Sequence, residues 1–256
     1  MRTALVTGAA RGIGAATVRA LAADGWNVVA TDRCADDPRL PYPLGTRAEL
    51  EALESDRVTT CVADTTRVDE LARAVDLAEQ TYGGLDAALA VAGVVAGGVP
   101  LWEQPEAEIH AVLDVDLHGV LALARVSIPA LLRRPAPRSG RFLAVSSAAA
   151  TRGLPMLSAY CAAKAGVNGL IRGLAAELRG TGITASCVSP GSTRTPVLEE
   201  SARLYGLGDP EHFARQQPLE RLLEPEEVAA ALVWLASAAS SGVTGTDVAV
   251  DGGLAL

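Results

Sequence analysis

The stretch TGAARGIG, residues 7–14, follows the apolar run ALV and precedes a segment with helical periodicity. Its glycines, Gly8, Gly12 and Gly14, lack a Cβ. The backbone can therefore turn tightly there, and a pyrophosphate can approach the amides at the positive end of the next helix. The same three glycines would also fit an ordinary strand-to-helix turn, so the rest of the chain decides between the two interpretations.

Short apolar runs and longer helical segments alternate along the whole chain, which is typical of a parallel sheet covered on both faces. The predicted strands are 4–7, 27–31, 58–63, 88–92, 141–146, 184–189 and 247–250. The predicted helices are 12–24, 47–55, 67–82, 105–133, 158–179 and 225–237. Seven strands and six crossovers predict a doubly wound α/β fold, in which ligands bind beyond the carboxyl ends of the strands.

Composition limits the class of protein. The 256 residues are 49% hydrophobic and 20% charged, and no Pro/Gly/Ser-rich linker divides them, so we expect a single domain over residues 1–256. A net charge of −8 argues against nucleic acid as a partner. The N-terminus has no basic leader, and no uninterrupted apolar stretch reaches about 18 residues. We therefore expect a cytoplasmic protein without a membrane-spanning segment.

Cysteine and histidine spacing predicts neither disulfides nor a metal site. The four cysteines form no C-x-x-C pair, and we expect them to be reduced and mostly buried. His110, His118 and His212 have no metal-ligand spacing with one another or with the cysteines.

An acidic residue, Asp32, ends the second apolar run, 18 residues after Gly14. A carboxylate there can bind both ribose hydroxyls of an adenosine and would repel a 2′-phosphate, which favours NAD. Arg33 beside it leaves NADP open as the less favoured cofactor. Asp64 closes the third strand and Gly93 the fourth, on the edge where a dinucleotide would lie. A solvated loop acid and ordinary turn residues are the alternative interpretation.

Lys164 is the only lysine among 22 basic residues, and it lies four positions after Tyr160 in an alanine-rich segment. In a helix the two side chains share a face, where an ammonium favours the phenolate and so lowers the pKa of the phenol. A compact ammonium can also hold ribose hydroxyls, which a planar guanidinium does differently. The alternative is a surface lysine in an arginine-biased genome.

Two more polar stretches follow predicted strands. Ser147, 13 residues before Tyr160, ends the fifth strand and can donate to a substrate oxygen, with Ser146 as its rival. The sixth strand ends in SPGSTRT, in which Pro190 and Gly191 turn the chain. Thr193 and Thr195 of the same stretch can then reach a nicotinamide.

Together, TGAARGIG, Asp32, Ser147, YCAAK, SPGSTRT and the terminal VDGG resemble the short-chain dehydrogenase/reductase family in its compact form, over essentially the whole chain. The resemblance implies a Rossmann-type sheet, a nicotinamide cofactor and Tyr160 as the acid/base. Lys164 would bind the nicotinamide ribose and lower the pKa of the phenol, and Ser147 would position the substrate carbonyl or carbinol. The predicted cofactor-binding set is Gly8, Arg11, Gly12, Ile13, Gly14, Asp32, Arg33, Asp64, Ala92, Gly93, Tyr160, Lys164, Pro190, Gly191, Thr193 and Thr195.

The chain departs from the family pattern at two places. Where the family usually has N-N-A-G after the fourth strand, this chain has AVAG, residues 90–93. The family's relay asparagine, in D-V-N-x-x-G, is replaced by Asp116 in DVDLHG. A carboxylate there would either stabilise the Lys164 ammonium and weaken its effect on Tyr160, or still order a relay water. An acid paired with some arginine inside a helix is the alternative to either catalytic role.

The connection RCADDPRLPYPLGT, residues 33–46, is longer than the usual two to six residues of such units and contains three prolines. It resembles an insertion in the subgroup associated with the redox peptide cofactor mycofactocin. That resemblance implies an NAD that does not exchange freely and that passes its electrons to mycofactocin. An inert surface loop is the alternative.

Residues 194–223 lie where such a fold places a substrate lid. Leu198, Leu204, Tyr205 and Phe213 suggest either an apolar substrate or a lid packed on its own core. The resemblance also implies a homo-oligomer, a tetramer or dimer, formed by the helices at 105–133 and 158–179.

The leading hypothesis is an NAD-dependent enzyme that transfers a hydride between nicotinamide and a small-molecule alcohol or ketone. The alternative is a dinucleotide-binding regulatory protein that has lost turnover, which Asp116 and the missing asparagines favour.

Overall fold

The computed structural model describes all 256 residues. Seven strands form one sheet in the order β3-β2-β1-β4-β5-β6-β7, and every neighbouring pair is parallel. The strands are β1 Thr3–Thr7, β2 Asn27–Asp32, β3 Val58–Val62, β4 Ala87–Ala90, β5 Arg141–Val145, β6 Thr184–Pro190 and β7 Asp247–Val250. This order confirms the predicted Rossmann-type doubly wound sheet, with its switch point between β1 and β4.

Helices cover both faces of the sheet. They are α1 Gly12–Ala23, α2 Arg47–Glu51, α3 Val68–Tyr82, α4 Glu106–Leu113, α5 Gly119–Arg133, α6 Ser158–Glu177, α7 Pro196–Leu204 and α8 Pro225–Ala236. Side chains alternate along each strand, so Leu5 of β1 packs toward α3, α5 and α6, whereas Ala4 and Val6 pack toward α1 and α8. Two apolar layers result, and they bury all five residues of β1.

Three helical segments differ from the sequence prediction. The predicted helix 105–133 is divided into α4 and α5 by a π-helical turn, Asp114–His118, a feature often found at functional sites. The helix predicted over 47–55 already ends at Glu51. The lid contains an additional helix, α7, whose start signal is Thr195 as the cap followed by Pro196.

The helical run Glu106–Arg133 is long and apolar enough, by length and composition alone, to cross a membrane. Its most apolar window has a mean hydropathy of 1.5, and half of that window is buried inside the fold. The run supplies Leu123 and Leu131 to the same apolar layer as α3 and α6, which is typical of the core helix of a globular protein.

The four cysteines are free thiols. Only Cys187 is buried, while Cys34, Cys61 and Cys161 are half-buried, so the expectation that most thiols are buried is wrong. For Cys61 the reason is the position of its strand, because β3 lies at the edge of the sheet and exposes part of its length.

Candidate active site

A cavity of about 590 Å³ lies beyond the carboxyl ends of the strands. All four predicted catalytic residues and the whole predicted cofactor-binding set line it. The fold therefore brings together residues that are up to 187 positions apart in the sequence, from Gly8 to Thr195. No group of three or more His, Cys, Asp or Glu side chains is placed to hold a metal ion.

The glycine-rich turn is shaped by close backbone contacts. A Cβ on Gly8, whose φ is +66°, would lie 2.5 Å from the Cα of Ala92, and one on Gly14 would lie 2.0 Å from the Gly8 carbonyl oxygen. Neither position has room for any other residue. Arg11, which precedes α1, forms no side-chain cap, so the first amides of the helix are left for a ligand in the cavity. This uncapped cradle fits the pyrophosphate of a dinucleotide.

The turn after β4 keeps its shape without the family's asparagines. The Thr7 hydroxyl oxygen accepts hydrogen bonds from the backbone N–H groups of Val91, at 3.1 Å, and Ala92, at 3.3 Å. Thr7 thus ties the ends of β1 and β4 together at the switch point. Sequence reasoning did not assign this role to Thr7, because a threonine at a strand end gives no separate signal.

Asp32 ends β2 at the rim of the cavity. Its Oδ2 accepts a hydrogen bond from the Ala10 amide and its Oδ1 from the Cys34 amide, both at 3.1 Å. Each oxygen has a second lone pair, so the carboxylate is fixed in orientation and can still accept from ribose hydroxyls. Arg33 points to carboxylates instead, with its Nη1 2.9 Å from Asp37 and its Nε 3.6 Å from Asp64.

Residues 33–46, which we call the strap, pack into the protein and are not an inert surface loop. Leu40 and Tyr42 are buried in an apolar cluster with residues of α4 and of the turn after β4. The Tyr42 hydroxyl accepts a hydrogen bond of 2.9 Å from the Val95 amide. Burial raises the pKa of Tyr42, so this phenol stays neutral at physiological pH.

Polar contacts hold the rest of the strap around the cavity. Arg11 donates to the Pro43 carbonyl at 2.7 Å, and Arg39 pairs with Asp114 of the π turn at 2.8 Å. Gly45 lies against the end of β2, where a Cβ would be 3.1 Å from Oδ1 of Asp32. The strap thus contacts the glycine-rich turn, β2 and the π turn, and Tyr42, Leu44 and Gly45 line the cavity.

Asp37 fixes the fold of the strap itself. It is 2% exposed and accepts hydrogen bonds from Arg33 Nη1, at 2.9 Å, and from Arg39 Nη2, at 2.8 Å. The Arg39 guanidinium, with Arg33, holds the pKa of this carboxyl well below its usual range.

The two serines after β5 have different roles in the structure. Ser147 is half-buried at the cavity, and its Oγ accepts a hydrogen bond of 3.1 Å from the Ala149 amide, which leaves its O–H free to donate. Ser146 is buried, and its Oγ donates to the Lys164 carbonyl oxygen at 3.1 Å. Ser146 therefore anchors α6 to β5, and Ser147 is the serine that faces the cavity.

Tyr160 and Lys164 lie one turn apart on α6, with the Lys164 Nζ 5.7 Å from the centre of the Tyr160 ring. Nζ also donates to the Val145 carbonyl oxygen at 3.2 Å. Burial raises the pKa of the Tyr160 phenol, Lys164 and Ser147 lower it, and Asp116 raises it. The pKa is raised overall, so the expected lowering by Lys164 is present but smaller than the effect of burial.

Asp116 lies on the π turn and is completely buried. Its Oδ2 is 3.2 Å from the Lys164 Nζ, and its Oδ1 accepts a hydrogen bond of 2.8 Å from the Val94 amide. The structure thus pairs this acid with the lysine of the site and not with an arginine.

The lid contributes apolar side chains to the cavity. Leu198, Tyr205 and Phe213 line it and also pack with Ala202 and Leu222 in a small core of the lid, as one of the two alternatives from the sequence predicts. The Tyr205 hydroxyl donates to the Pro155 carbonyl at 2.7 Å, which fastens the lid to the loop after β5.

The cavity joins a cradle for a pyrophosphate to groups that can exchange a proton with a hydroxyl beside it. An α/β protein with this combination at its switch point is a nicotinamide-dependent oxidoreductase. Comparison with known proteins defines the class further. A family model described as enoyl-(acyl carrier protein) reductase matches residues 8–255. The chain belongs to the short-chain dehydrogenase/reductase family.

Three similar proteins span almost the same length. The chain is 39% identical to the cis-4-hydroxycyclohexanecarboxylate dehydrogenase of Sinomonas cyclohexanicum, over 98% of this chain and 96% of that protein. Its structure resembles levodione reductase with a TM-score of 0.89 and 28% identity, covering 99% and 97% of the two chains. It also resembles the 3-ketoacyl-(acyl-carrier-protein) reductase of Brucella melitensis in complex with NADH, with a TM-score of 0.87 and 27% identity, covering 100% and 98%.

Proposed function

We propose that this oxidoreductase uses NAD to oxidise a secondary alcohol, or to reduce the corresponding ketone, with Tyr160 as the acid/base. The observation that carries the proposal is the convergence of Ser147, Tyr160 and Lys164 on one cavity that also contains the glycine cradle. Bound nicotinamide would supply the hydride acceptor.

The proton chemistry belongs to the protein. In oxidation, the Ser147 hydroxyl donates to the substrate oxygen and orients it, while Tyr160 as phenolate removes the hydroxyl proton. Lys164 stabilises the phenolate by its charge and has an N–H left for a ribose hydroxyl. In reduction the same phenol returns its proton to the carbonyl oxygen.

The charges around Asp32 support NAD over NADP. The carboxylate repels a 2′-phosphate, and Arg33, which would attract one, is paired with Asp37 and Asp64. We expect the cofactor-free protein to bind NADH about 100-fold more tightly than NADPH, because the discrimination combines a like charge with the absence of a free guanidinium. Equal affinity for the two cofactors would contradict this preference.

The test of the reaction is steady-state turnover of secondary alcohols by the wild-type protein and by Tyr160→Phe. Loss of the phenolic proton donor should lower kcat/KM by about 10³-fold, with NADH binding measured by fluorescence retained. Tyr82→Phe is the matched control, since Tyr82 lies at the end of α3 and contacts Thr59 outside the cavity. A Tyr160→Phe enzyme with normal turnover would refute the assignment.

The apolar lid supports a substrate with an apolar body. Leu198, Tyr205 and Phe213 surround the space beyond Ser147 and Tyr160. The relative from Sinomonas acts on a hydroxycyclohexanecarboxylate, so ring alcohols are the first class to assay.

We further propose that NAD stays bound between turnovers and is reoxidised by an external acceptor, with mycofactocin as the candidate. The contacts of the strap with Arg11, Asp32 and Asp114 support this proposal, because they hold Tyr42, Leu44 and Gly45 of the strap against the cavity. Purified protein should then carry nicotinamide fluorescence, and turnover should need an artificial electron acceptor. Ready reduction of added NAD would contradict bound-cofactor chemistry and leave the dehydrogenase proposal intact.

A single cytoplasmic domain that assembles as a dimer or tetramer remains our prediction. Leu121 and Leu132 of α5 are exposed, at 42% and 36%, and would be covered in such an assembly. Light scattering would measure the number of subunits.

A further inference from the structure

A carboxylate occupies a place in this site where a neutral side chain would fit equally well. Asp116 accepts from the Val94 amide through Oδ1, as the carbonyl of an asparagine could, and its Oδ2 lies 3.2 Å from the Lys164 Nζ. Asparagine and aspartate have nearly the same shape, so the choice of aspartate adds a charge and little else.

The pair of Asp116 and Lys164 is tightly enclosed. Asp116 is fully buried and Lys164 is 3% exposed. A Cβ on Gly93 would lie 3.4 Å from Nζ and 3.7 Å from both carboxylate oxygens, so the backbone covers the pair directly. Of the three N–H donors of Lys164, one bonds to Val145. Oδ2 of Asp116 is within ion-pair distance of Nζ but accepts no hydrogen bond, so the two groups attract each other by charge.

We propose that Asp116 is a positioning residue whose carboxylate fixes the Lys164 ammonium and offsets part of its attraction for the Tyr160 phenolate. The part of this inference that concerns turnover rests on the proposed function. Asp116 is then no member of a proton relay, and the phenolate forms at a higher pH than it would beside a neutral residue at position 116.

The electrostatics of the three groups agree with this arrangement. Burial lowers the pKa of Lys164, but Asp116 and Tyr160 raise it and prevail, so the ammonium is retained. Burial raises the pKa of Asp116 overall, and the Lys164 ammonium and the Val94 amide offset only part of that rise and so favour the carboxylate. Asp116 in turn raises the pKa of Tyr160, against the effect of Lys164.

The other titratable groups near Tyr160 and Lys164 come from the strap, β6 and α6. Burial raises the pKa of Tyr42 on the strap and of Cys187 on β6. Both groups therefore stay neutral at about pH 10, where an ordinary phenol titrates. Cys161 follows Tyr160 on α6, and its thiol also raises the pKa of the Tyr160 phenol. A Cys161→Ser background removes this thiol from the measurement.

The experiment is an ultraviolet titration of phenolate absorbance from about pH 7 to about pH 12, with the matching Tyr160→Phe protein subtracted. Asp116→Asn in the Cys161→Ser background should lower the pKa of Tyr160 by about one unit, since it removes a negative charge that disfavours the phenolate. Glu106→Gln, at the exposed start of α4, should leave the titration unchanged. Asp116→Ser provides a second neutral variant, and thermal unfolding shows that each protein is folded.

An unchanged Tyr160 titration in both neutral variants would overturn the proposal, and so would a rise in the pKa. Turnover gives an independent measurement. In Asp116→Asn, the pKa that governs the acid limb of the pH profile of kcat/KM for alcohol oxidation should also fall by about one unit. If the wild-type protein oxidises no alcohol, the proposed function fails, while the titration still decides whether Asp116 sets the charge at Tyr160.

Discussion

The glycine-rich turn, residues 7–14, and the strap, residues 33–46, both border the cavity near Asp32, but different forces hold them in place. In the turn, Gly8 and Gly14 meet neighbouring backbone at distances that exclude any Cβ. The strap is held by side chains that reach residues far along the chain, such as Tyr42 to Val95 and Arg39 to Asp114. Close backbone contacts exclude every residue except glycine at Gly8 and Gly14. In the strap, by contrast, each side-chain contact contributes only a part of the stabilisation.

The largest expected effect tests the turn. Gly14→Ala places a Cβ 2.0 Å from the Gly8 carbonyl oxygen, so the backbone must move, and we expect the free energy of unfolding to fall by about 3 kcal/mol or more. NAD binding should be lost as well, because the same amides form the cradle. Urea unfolding and NADH fluorescence measure the two effects.

Gly173→Ala is the control for this change. Gly173 lies on the exposed face of α6 with nothing near its would-be Cβ, so alanine should raise stability by about 0.5 to 1 kcal/mol. If Gly14→Ala did not lower the free energy of unfolding, the close backbone contacts would not be what stabilises the turn.

The same contrast explains how much the sequence could predict. The turn, the seven strands and the Tyr160–Lys164 pair depend on spacing within a few residues, and the doubly wound parallel sheet follows from the alternation of elements. The path of the strap could not be predicted. Its three prolines indicate that the segment is stiff, but they do not indicate which residues it contacts. Its destination is set by Val95 and Asp114, which are distant in sequence.

The catalytic end shows the same limit. Asp116 was visible as a departure from the family pattern, but the sequence left its partner open between Lys164 and an arginine. The structure brings it to Lys164, 48 residues away, through the π turn that the uniform helical periodicity of 105–133 did not reveal. Thr7 and Tyr42, whose hydroxyl oxygens accept backbone N–H groups, were missed for the same reason.

The second prediction expects a smaller loss of stability and concerns the contacts of Asp37 within the strap. Asp37→Asn removes a buried carboxylate that accepts from Arg33 and Arg39, which should cost about 2 kcal/mol at neutral pH. Because the pKa of Asp37 is lower in the folded than in the unfolded protein, its stabilisation is complete above about pH 4 and is lost as the pH falls further.

Urea unfolding of the wild-type protein and Asp37→Asn at neutral pH and near pH 3 tests the sign. The difference between the two proteins should shrink in acid. A difference that is constant with pH would mean that the charge of Asp37 does not stabilise the strap.

The third effect concerns the buried end of the strap. Tyr42→Phe leaves the Val95 N–H without its acceptor in an apolar cluster, which should cost about 1 to 2 kcal/mol and speed the release of bound NAD about tenfold. Stopped-flow fluorescence of NADH release gives the rate. Tyr82→Phe removes the hydroxyl of a half-buried tyrosine that contacts Thr59 outside the cavity, and it should leave release unchanged.

The smallest effect is expected at the exposed tether. Asp114→Asn breaks the 2.8 Å pair with Arg39, but both side chains are partly exposed, at 40% and 29%, so solvent screens the attraction. We expect a cost of about 0.5 kcal/mol that disappears in high salt, and NAD release close to that of the wild-type protein. If Asp114→Asn released NAD faster than Tyr42→Phe, charge at the π turn would hold the strap more strongly than its buried phenol. The strap would then respond to ionic strength in a way that the glycine-rich turn cannot.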